Sequence, residues 1–141
     1  MNANISREPT LDEIKELTAF LPILYLPGFS PVETWEGGKQ VDGTITLPYP
    51  KYAPEVEEFY RTASQEQWFD TNYSPENAYK KIKNPIEIQS ASLSEVKSML
   101  TFCIRGERFS DGHWGEMIEK GIVRALLERL IKIGSERNEK S

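Results

Sequence analysis

The sequence is poor in the residues that usually mark a chemical site. Its 141 residues include one cysteine and one histidine. The single cysteine, Cys103, excludes an intramolecular disulfide and agrees with a reducing compartment. A lone histidine without ligand-spaced partners argues against a metal centre, so we expect no metal and no cofactor. Phosphate loops, nucleophile elbows, Cys-x-x-Cys pairs and His-Glu-x-x-His motifs are also absent from the sequence.

Positive charge and long apolar runs are scarce as well. Seventeen Lys and Arg face 22 Asp and Glu, which gives a net charge of -5. Non-specific nucleic-acid binding needs a basic surface, so nucleic acid is an unlikely partner, although a local basic patch stays open. The longest apolar stretch, residues 20–26, contains Pro22 and is too short to cross a bilayer. No secretory signal opens the sequence, so we expect a cytoplasmic protein that does not bind a membrane.

What the sequence does contain is a succession of helix signals. Thr10–Glu13 and Ser92–Glu95 each have the form of a capping box. Helical spacing of apolar residues, with cap signals, predicts five or six helices, for which we expect the approximate ranges 11–26, 54–69, 74–83, 93–109, 112–120 and 122–133. We therefore predict one compact, mainly α-helical domain over residues 10–134, with flexible tails at 1–9 and 135–141.

Proline and glycine set the expected ends of several helices. Pro22 predicts a kink or a break in the first helix. Asn84-Pro85 predicts the end of another, followed by an extended connector over 86–89. Asp111 is the expected N-cap of the helix at 112–120, and Gly134 the expected end of the last helix. Between the helices, the alternation in Thr44–Leu47 and the surrounding glycines predict one small β-hairpin.

The helix at 93–109 carries an unusual residue on its apolar side. At about 100° per residue, Glu107 falls inside the arc that includes Met99, Leu100 and Cys103. A carboxylate on an apolar face is costly unless it is paired, so we expect a guanidinium partner. The candidates are Arg105, Arg108, Arg124 and Arg129. Two hypotheses follow: a structural ion-pair network that fixes helix register, or a ligand pocket in which arginines bind an anion.

The next helix start gives this pocket hypothesis further support. Gly112, His113 and Trp114 should occupy a first helical turn, where backbone N–H groups lack intrahelical partners and attract anions. Asp111 as N-cap would compete with such an anion. His113 is either a helix-start side chain bonded to a neighbour or a general acid–base. Cys103, on the apolar arc, is expected to be a core residue rather than a nucleophile.

The segment from Leu100 to Gly112 resembles a family signature. It fits the pattern Leu-Thr-x-x-x-Arg-x-Glu-Arg-Phe-x-x-Gly, and the spaced leucines after Gly121 fit the later part. Segments Pro48–Tyr52 and Ala91–Leu93 are also similar, so the resemblance extends over most of residues 40–131. The family consists of small prokaryotic domains of unknown function. The resemblance implies the extent of the domain but does not imply any particular reaction. It also favours Arg105, Glu107 and Arg108 over His113 as functional residues.

Three functional hypotheses remain from the sequence. The first is a cytoplasmic binding or interaction module whose polar pocket takes a small anionic ligand or an acidic partner segment. Its expected site residues are Arg105, Glu107, Arg108, Asp111 and His113. The second is a small hydrolase-like enzyme that uses Glu107 or Asp111 as base with Arg105 and Arg108. The third is a structural subunit that forms a homo-oligomer through apolar helix surface.

Overall fold

A computed structural model describes the backbone of residues 7–140 and the side chains as far as residue 137. It confirms a mainly α-helical compact domain with one small β-hairpin. The described elements, in chain order, are α1 (Leu11–Thr18), α2 (Leu21–Leu24), β1 (Val32–Lys39), β2 (Ile45–Tyr52), α3 (Pro54–Ala63), α4 (Pro75–Ile82), α5 (Pro85–Gln89), α6 (Leu93–Arg105), α7 (His113–Glu119) and α8 (Ile122–Lys140). Two short 3-10 turns, Glu66–Trp68 and Gly106–Arg108, complete the chain's helical segments in this range.

The core lies where α1, α3, α6 and α8 meet. Trp68, Leu100 and Leu127 are completely buried there, as are Val56, Val96, Met99 and Val123 on the inner faces of these helices. Cys103 is also fully buried, as predicted, and burial raises the pKa of its thiol to about 12. Burial of these side chains is the dominant favourable contribution to folding.

Local signals predicted the helix starts well. Both capping boxes form: Thr10 and Ser92 accept from the backbone N–H of Glu13 and Glu95, whose carboxylates accept in return. The predicted break at Pro22 is confirmed, because α1 ends at Thr18 and Pro22 lies in the first turn of α2. Proline is tolerated there since a first-turn N–H has no intrahelical partner.

Four predicted helix boundaries are wrong. The helix expected at 54–69 ends at Ala63, and the 3-10 turn Glu66–Trp68 follows it. Residues 86–89 are helical rather than extended, because Pro85 starts α5 with Asn84 as its N-cap. The helix at 93–109 ends at Arg105 and continues as a 3-10 turn. The last helix passes through Gly134 to Lys140. A Cβ at Gly134 would lie 3.3 Å from Cγ2 of Ile14, so this glycine lets α1 approach α8 closely instead of ending the helix.

Residues beside the predicted domain limits make defined contacts. Arg7 donates to the Glu13 carboxylate at 2.8 and 2.9 Å, and Arg137 donates to the carbonyl of Pro9 at 2.9 Å. Arg137 also pairs with Glu8. Residues 1–6 and 141, which the prediction assigned to flexible tails, lie outside the described residues.

The two strands form one antiparallel hairpin, which we call the hairpin arm (residues 32–52). Val32 pairs with Tyr52 at its base and Lys39 with Ile45 near its tip, with two irregularities of register between them. Asp42 shapes the tip by accepting from the Thr44 backbone N–H and hydroxyl. Tyr52 is the only buried residue of the two strands, so the arm projects from the helices.

Candidate functional site

Glu107, the residue on which the pocket hypothesis depends, is bound by the start of α7. One carboxylate oxygen accepts from the Tyr52 hydroxyl and from the Trp114 backbone N–H, each at 2.8 Å. The other oxygen accepts from the Gly112 N–H at 3.1 Å. The carboxylate therefore caps α7, where a negative charge is favoured by the helix dipole and by unpaired N–H groups.

The predicted guanidinium partner of Glu107 is wrong. In the described part of the chain Glu107 makes no ion pair, and a tyrosine hydroxyl with two backbone donors takes that place. The reason is local geometry. Because α6 ends at Arg105, Glu107 belongs to a 3-10 turn, and the helical arc does not extend to it. The side chain is half-buried and turns toward α7 instead of the helix core.

The predicted anion site at the start of α7 is already occupied by the protein itself. Asp111 is not the N-cap: it is exposed, and Gly112 holds the N-cap position with a φ of 93°, which only glycine adopts easily. Two of the N–H groups expected to bind an anion donate to Glu107. An external anion at this turn would therefore have to displace an internal carboxylate.

Arg105 and Arg108 do not converge on Glu107. The guanidinium of Arg105 lies over two aromatic rings, 4.7 Å from the centre of Phe69 and 5.6 Å from that of Tyr73. Such cation–π contacts orient arginine and contribute about 0.5–1 kcal/mol each at partly exposed sites. Arg108 is exposed and makes no ion pair within the described residues.

The other two candidate arginines have partners elsewhere. Arg124 lies 3.8 Å from the carboxylate of Glu128, one turn along α8. The Nε of Arg129 donates to the carbonyl of Ala91 at 2.7 Å and so joins α8 to the start of α6. Neither arginine contributes to a pocket at Glu107.

His113 is buried and packs against the preceding turn. A Cβ at Gly106 would lie 2.2 Å from its Nε2, so the ring fits only because residue 106 is glycine. The Phe102 ring meets it edge-on at 5.4 Å. Nε2 has no hydrogen-bond partner, and burial lowers the pKa of the imidazole. The side chain is thus a neutral packing element facing the protein interior.

Aromatic residues hold Glu107 and the hairpin base together. Tyr60 and Trp114 stack at 4.4 Å, and the Tyr60 hydroxyl donates to the Trp114 carbonyl. The Tyr52 ring lies 5.5 Å from that of Trp114. Burial and the hydrogen bond to Glu107 raise the pKa of Tyr52, so its hydroxyl remains a donor at neutral pH. Glu107 therefore connects the end of β2 to the beginning of α7.

Sequence reasoning missed an exposed apolar surface on the hairpin arm. Three apolar residues, Ile45, Leu47 and Tyr49, lie in the exposed part of β2, where a register irregularity between Thr46 and Tyr49 interrupts the alternation of the strand's two faces. Their exposed fractions are 77%, 85% and 48%. We call these three residues the outer ladder. The period-two spacing in the sequence predicted a strand of a hairpin and did not indicate whether that strand is covered.

A groove accompanies the other strand of the arm. Four consecutive β1 residues, Val32 to Trp35, line a cavity of about 310 Å³ together with residues of α7. We call this cavity the edge groove. Gly115 brings α7 close to the arm, because a Cβ there would lie 3.1 Å from Cγ2 of Val32. Trp35 extends over Gly112 and remains 56% exposed.

The fold and these surfaces define a helical domain with a projecting hairpin arm. The chain belongs to DUF6508, a family of unknown function, which matches residues 9–136. The resemblance seen in the sequence, to a family of domains of unknown function, is confirmed at that level. Neither the curated proteins nor the solved structures gave a match.

No helix among the described residues is long and apolar enough to cross a membrane. No group of three or more His, Cys, Asp or Glu side chains within the same residues could hold a metal ion.

Proposed function

We propose that this protein is a protein-binding module and that the outer ladder of its hairpin arm is the contact surface. The observation that carries the proposal is the exposure of three large apolar side chains, Ile45, Leu47 and Tyr49, within five residues of one strand. An exposed apolar patch on the surface of a domain often marks a protein–protein interaction site, whereas isolated exposed apolar residues are common and need no explanation. The proposal agrees with the interaction module expected from the sequence, but it places the contact surface on the arm instead of around Glu107.

The stability of the arm supports the same proposal. A two-stranded hairpin without further packing is marginally stable in water. Here the helices hold the base, through Tyr52 and the neighbouring Ala53, while the strands beyond it are almost wholly exposed. A partner that covers the outer ladder would supply the packing that the helices do not.

Charge favours a different protein over a second copy of this chain. The chain carries a net charge of -5, and the surface beside the arm is lined by glutamates. Two acidic copies repel each other at such a surface, whereas a basic partner is attracted. We therefore commit to a partner protein other than the chain itself.

A photocrosslinking residue placed at position 47 tests the proposal. Leu47 is 85% exposed on the outer ladder, and Ile86 on α5, 73% exposed, is the matched apolar control. In cells that produce the protein, we expect position 47 to capture one discrete protein that position 86 does not capture. That protein is then identified and purified, and its binding is measured.

The affinity of the purified partner decides the outcome. Covering one leucine side chain contributes about 2 kcal/mol, so Leu47→Ser should weaken binding about thirtyfold, and Ile86→Ser should leave it unchanged. Equal capture at both positions, capture of a second copy alone, or undiminished binding by Leu47→Ser would each contradict the proposal.

A further inference from the structure

Resting on the proposed function, we infer that an extended basic segment of the partner binds in the edge groove as a third strand on β1. The groove and the outer ladder belong to the same arm, so one partner protein can contact both. Strand addition to an exposed sheet edge is a general mode of peptide recognition, in which backbone bonds give affinity and side chains give selectivity.

The position of the groove identifies it with the free edge of β1. Successive strand residues point to opposite faces of a sheet. A register irregularity falls at Glu33, and beyond it Thr34 and Trp35 pair in sequence with β2, so these two side chains point to opposite faces. A cavity that both of them line, and that no residue of β2 lines, therefore runs along the strand edge rather than over one face. Within the described residues the sheet has two strands, so this edge of β1 has no strand partner.

The sequence of the two strands favours β1 over β2 as the receiving edge. β2 contains Pro48 and Pro50, which have no backbone N–H to donate. Prolines of this kind protect edge strands from pairing with other chains. β1 contains no proline from Val32 to Lys39, so each of its residues has a backbone N–H as well as a carbonyl. The Val32 carbonyl already accepts from the Ser30 hydroxyl at 3.0 Å.

The charge of the groove specifies a basic segment. Glu33, Glu116 and Glu119 line it, and no lysine or arginine is among its described lining residues. Lys120 neutralises part of this negative charge, because its Nζ lies 2.5 Å from the Glu116 carboxylate. Glu33 and Glu119 do not share this ion pair. The exposed ring of Trp35 adds a surface on which a lysine or arginine side chain can stack.

A short peptide probe tests the inference without knowledge of the partner. The probe is the acetylated and amidated peptide Lys-Val-Lys-Val-Lys-Val, added to isotope-labelled protein and followed by NMR. We expect shifts of backbone amides in residues 32–35 and 112–119, with an affinity that falls as salt is raised. The acidic counterpart Glu-Val-Glu-Val-Glu-Val should not bind. Shifts elsewhere, or equal binding of both peptides, would overturn the inference.

Protein variants separate the groove from general charge attraction. Glu116→Lys with Glu119→Lys should weaken the basic peptide about tenfold or more, because two attractive contacts become repulsive. Glu87→Lys, on exposed α5, changes the net charge by half as much and should have little effect. Circular dichroism confirms that each variant is folded. An unchanged affinity in the folded double variant contradicts the inference.

The backbone contacts have their own test. Methylation of alternate peptide nitrogens removes the donors of one strand edge and leaves the other edge intact. Of the two such methylated peptides, one should lose binding and one should keep it; equal behaviour of the two contradicts strand addition. If the peptides fail but Leu47→Ser still weakens the partner, this inference falls and the proposed function stands. If Leu47→Ser has no effect on the partner, the proposed function falls as well.

Discussion

Removal of the Glu107 carboxylate is the most informative perturbation of the helical framework. The Glu107→Ala variant leaves three donors without their acceptor, namely the Tyr52 hydroxyl and the backbone N–H groups of Gly112 and Trp114. Loss of a helix N-cap costs about 0.5–2 kcal/mol, and an unpaired part-buried donor costs about 1–3 kcal/mol. Water reaches this half-buried site, so we expect the free energy of unfolding to fall by about 2–3 kcal/mol.

Urea unfolding followed by circular dichroism measures this loss. Glu128→Ala is the matched control, because it removes a glutamate whose only described ion pair is an exposed one with Arg124 at 3.8 Å. We expect the control to change the free energy of unfolding by less than about 0.5 kcal/mol. Glu107→Gln should lie between the two, since it keeps one acceptor oxygen and loses the charge.

Hydrogen exchange adds a readout that is specific to the arm. Because Glu107 joins Tyr52 to α7, its loss should increase exchange at the base of β2 more than in the buried part of α8. A Glu107→Ala variant as stable as the control would refute the capping role. A uniform increase of exchange over the whole domain would refute the link to the arm.

Two further predictions concern the turn between α6 and α7. Burial lowers the folded-state pKa of His113 below the ordinary 6.5, so the unfolded chain binds a proton first as the pH falls. The neutral imidazole of His113 therefore contributes fully to stability above pH 6.5, and this contribution is lost as the pH falls through the folded-state pKa. Urea unfolding should show that acidification lowers the free energy of unfolding less for His113→Asn than for the wild type. Ion pairs and helix caps lower the pKa values of Glu13 and Glu95 to about 2. Protonation of these two carboxylates in the folded protein therefore affects stability only at a more acidic pH than protonation of His113. Gly106→Ala should lower the free energy of unfolding by about 1–3 kcal/mol, because the new Cβ would collide with the His113 imidazole. If this loss simply added to that of His113→Ala in the double variant, the contact would be contradicted.

Much of the fold could be predicted because its signals are local. A capping box such as Ser92 with Glu95 involves two residues three positions apart, and it forms as expected. The alternation around Thr44–Leu47 predicted the hairpin for the same reason. Boundaries that depend on tertiary packing were wrong: Gly134 is within a helix because Ile14 packs against it from the other end of the chain. Pro85 was ambiguous, since proline both follows helices and begins them.

The candidate site could be predicted only in part. The sequence singled out Glu107 correctly as a residue that needs partners, and it placed Gly112 and Trp114 at a helix start. The partners could not be predicted, because Tyr52 is 55 residues away in the chain and reaches Glu107 through the position of the arm. A helical wheel also assumes that the helix continues, and α6 ends at Arg105.

The exposure of the arm was beyond sequence reasoning for a related reason. Alternating apolar residues predict a strand face, and the pattern is the same whether helices cover that face or leave it open. The outer ladder is exposed because the helices pack on the base of the arm and leave the strands beyond it uncovered.

The affinity of the captured partner for an altered outer ladder is the direct test of whether this surface binds the partner. Isothermal titration would compare the wild type with a variant that carries serine at positions 45, 47 and 49, together with Ile86→Ser as control. We expect the outer-ladder variant to lose measurable binding and the control to bind like the wild type. A folded outer-ladder variant that binds the partner with undiminished affinity would contradict this expectation.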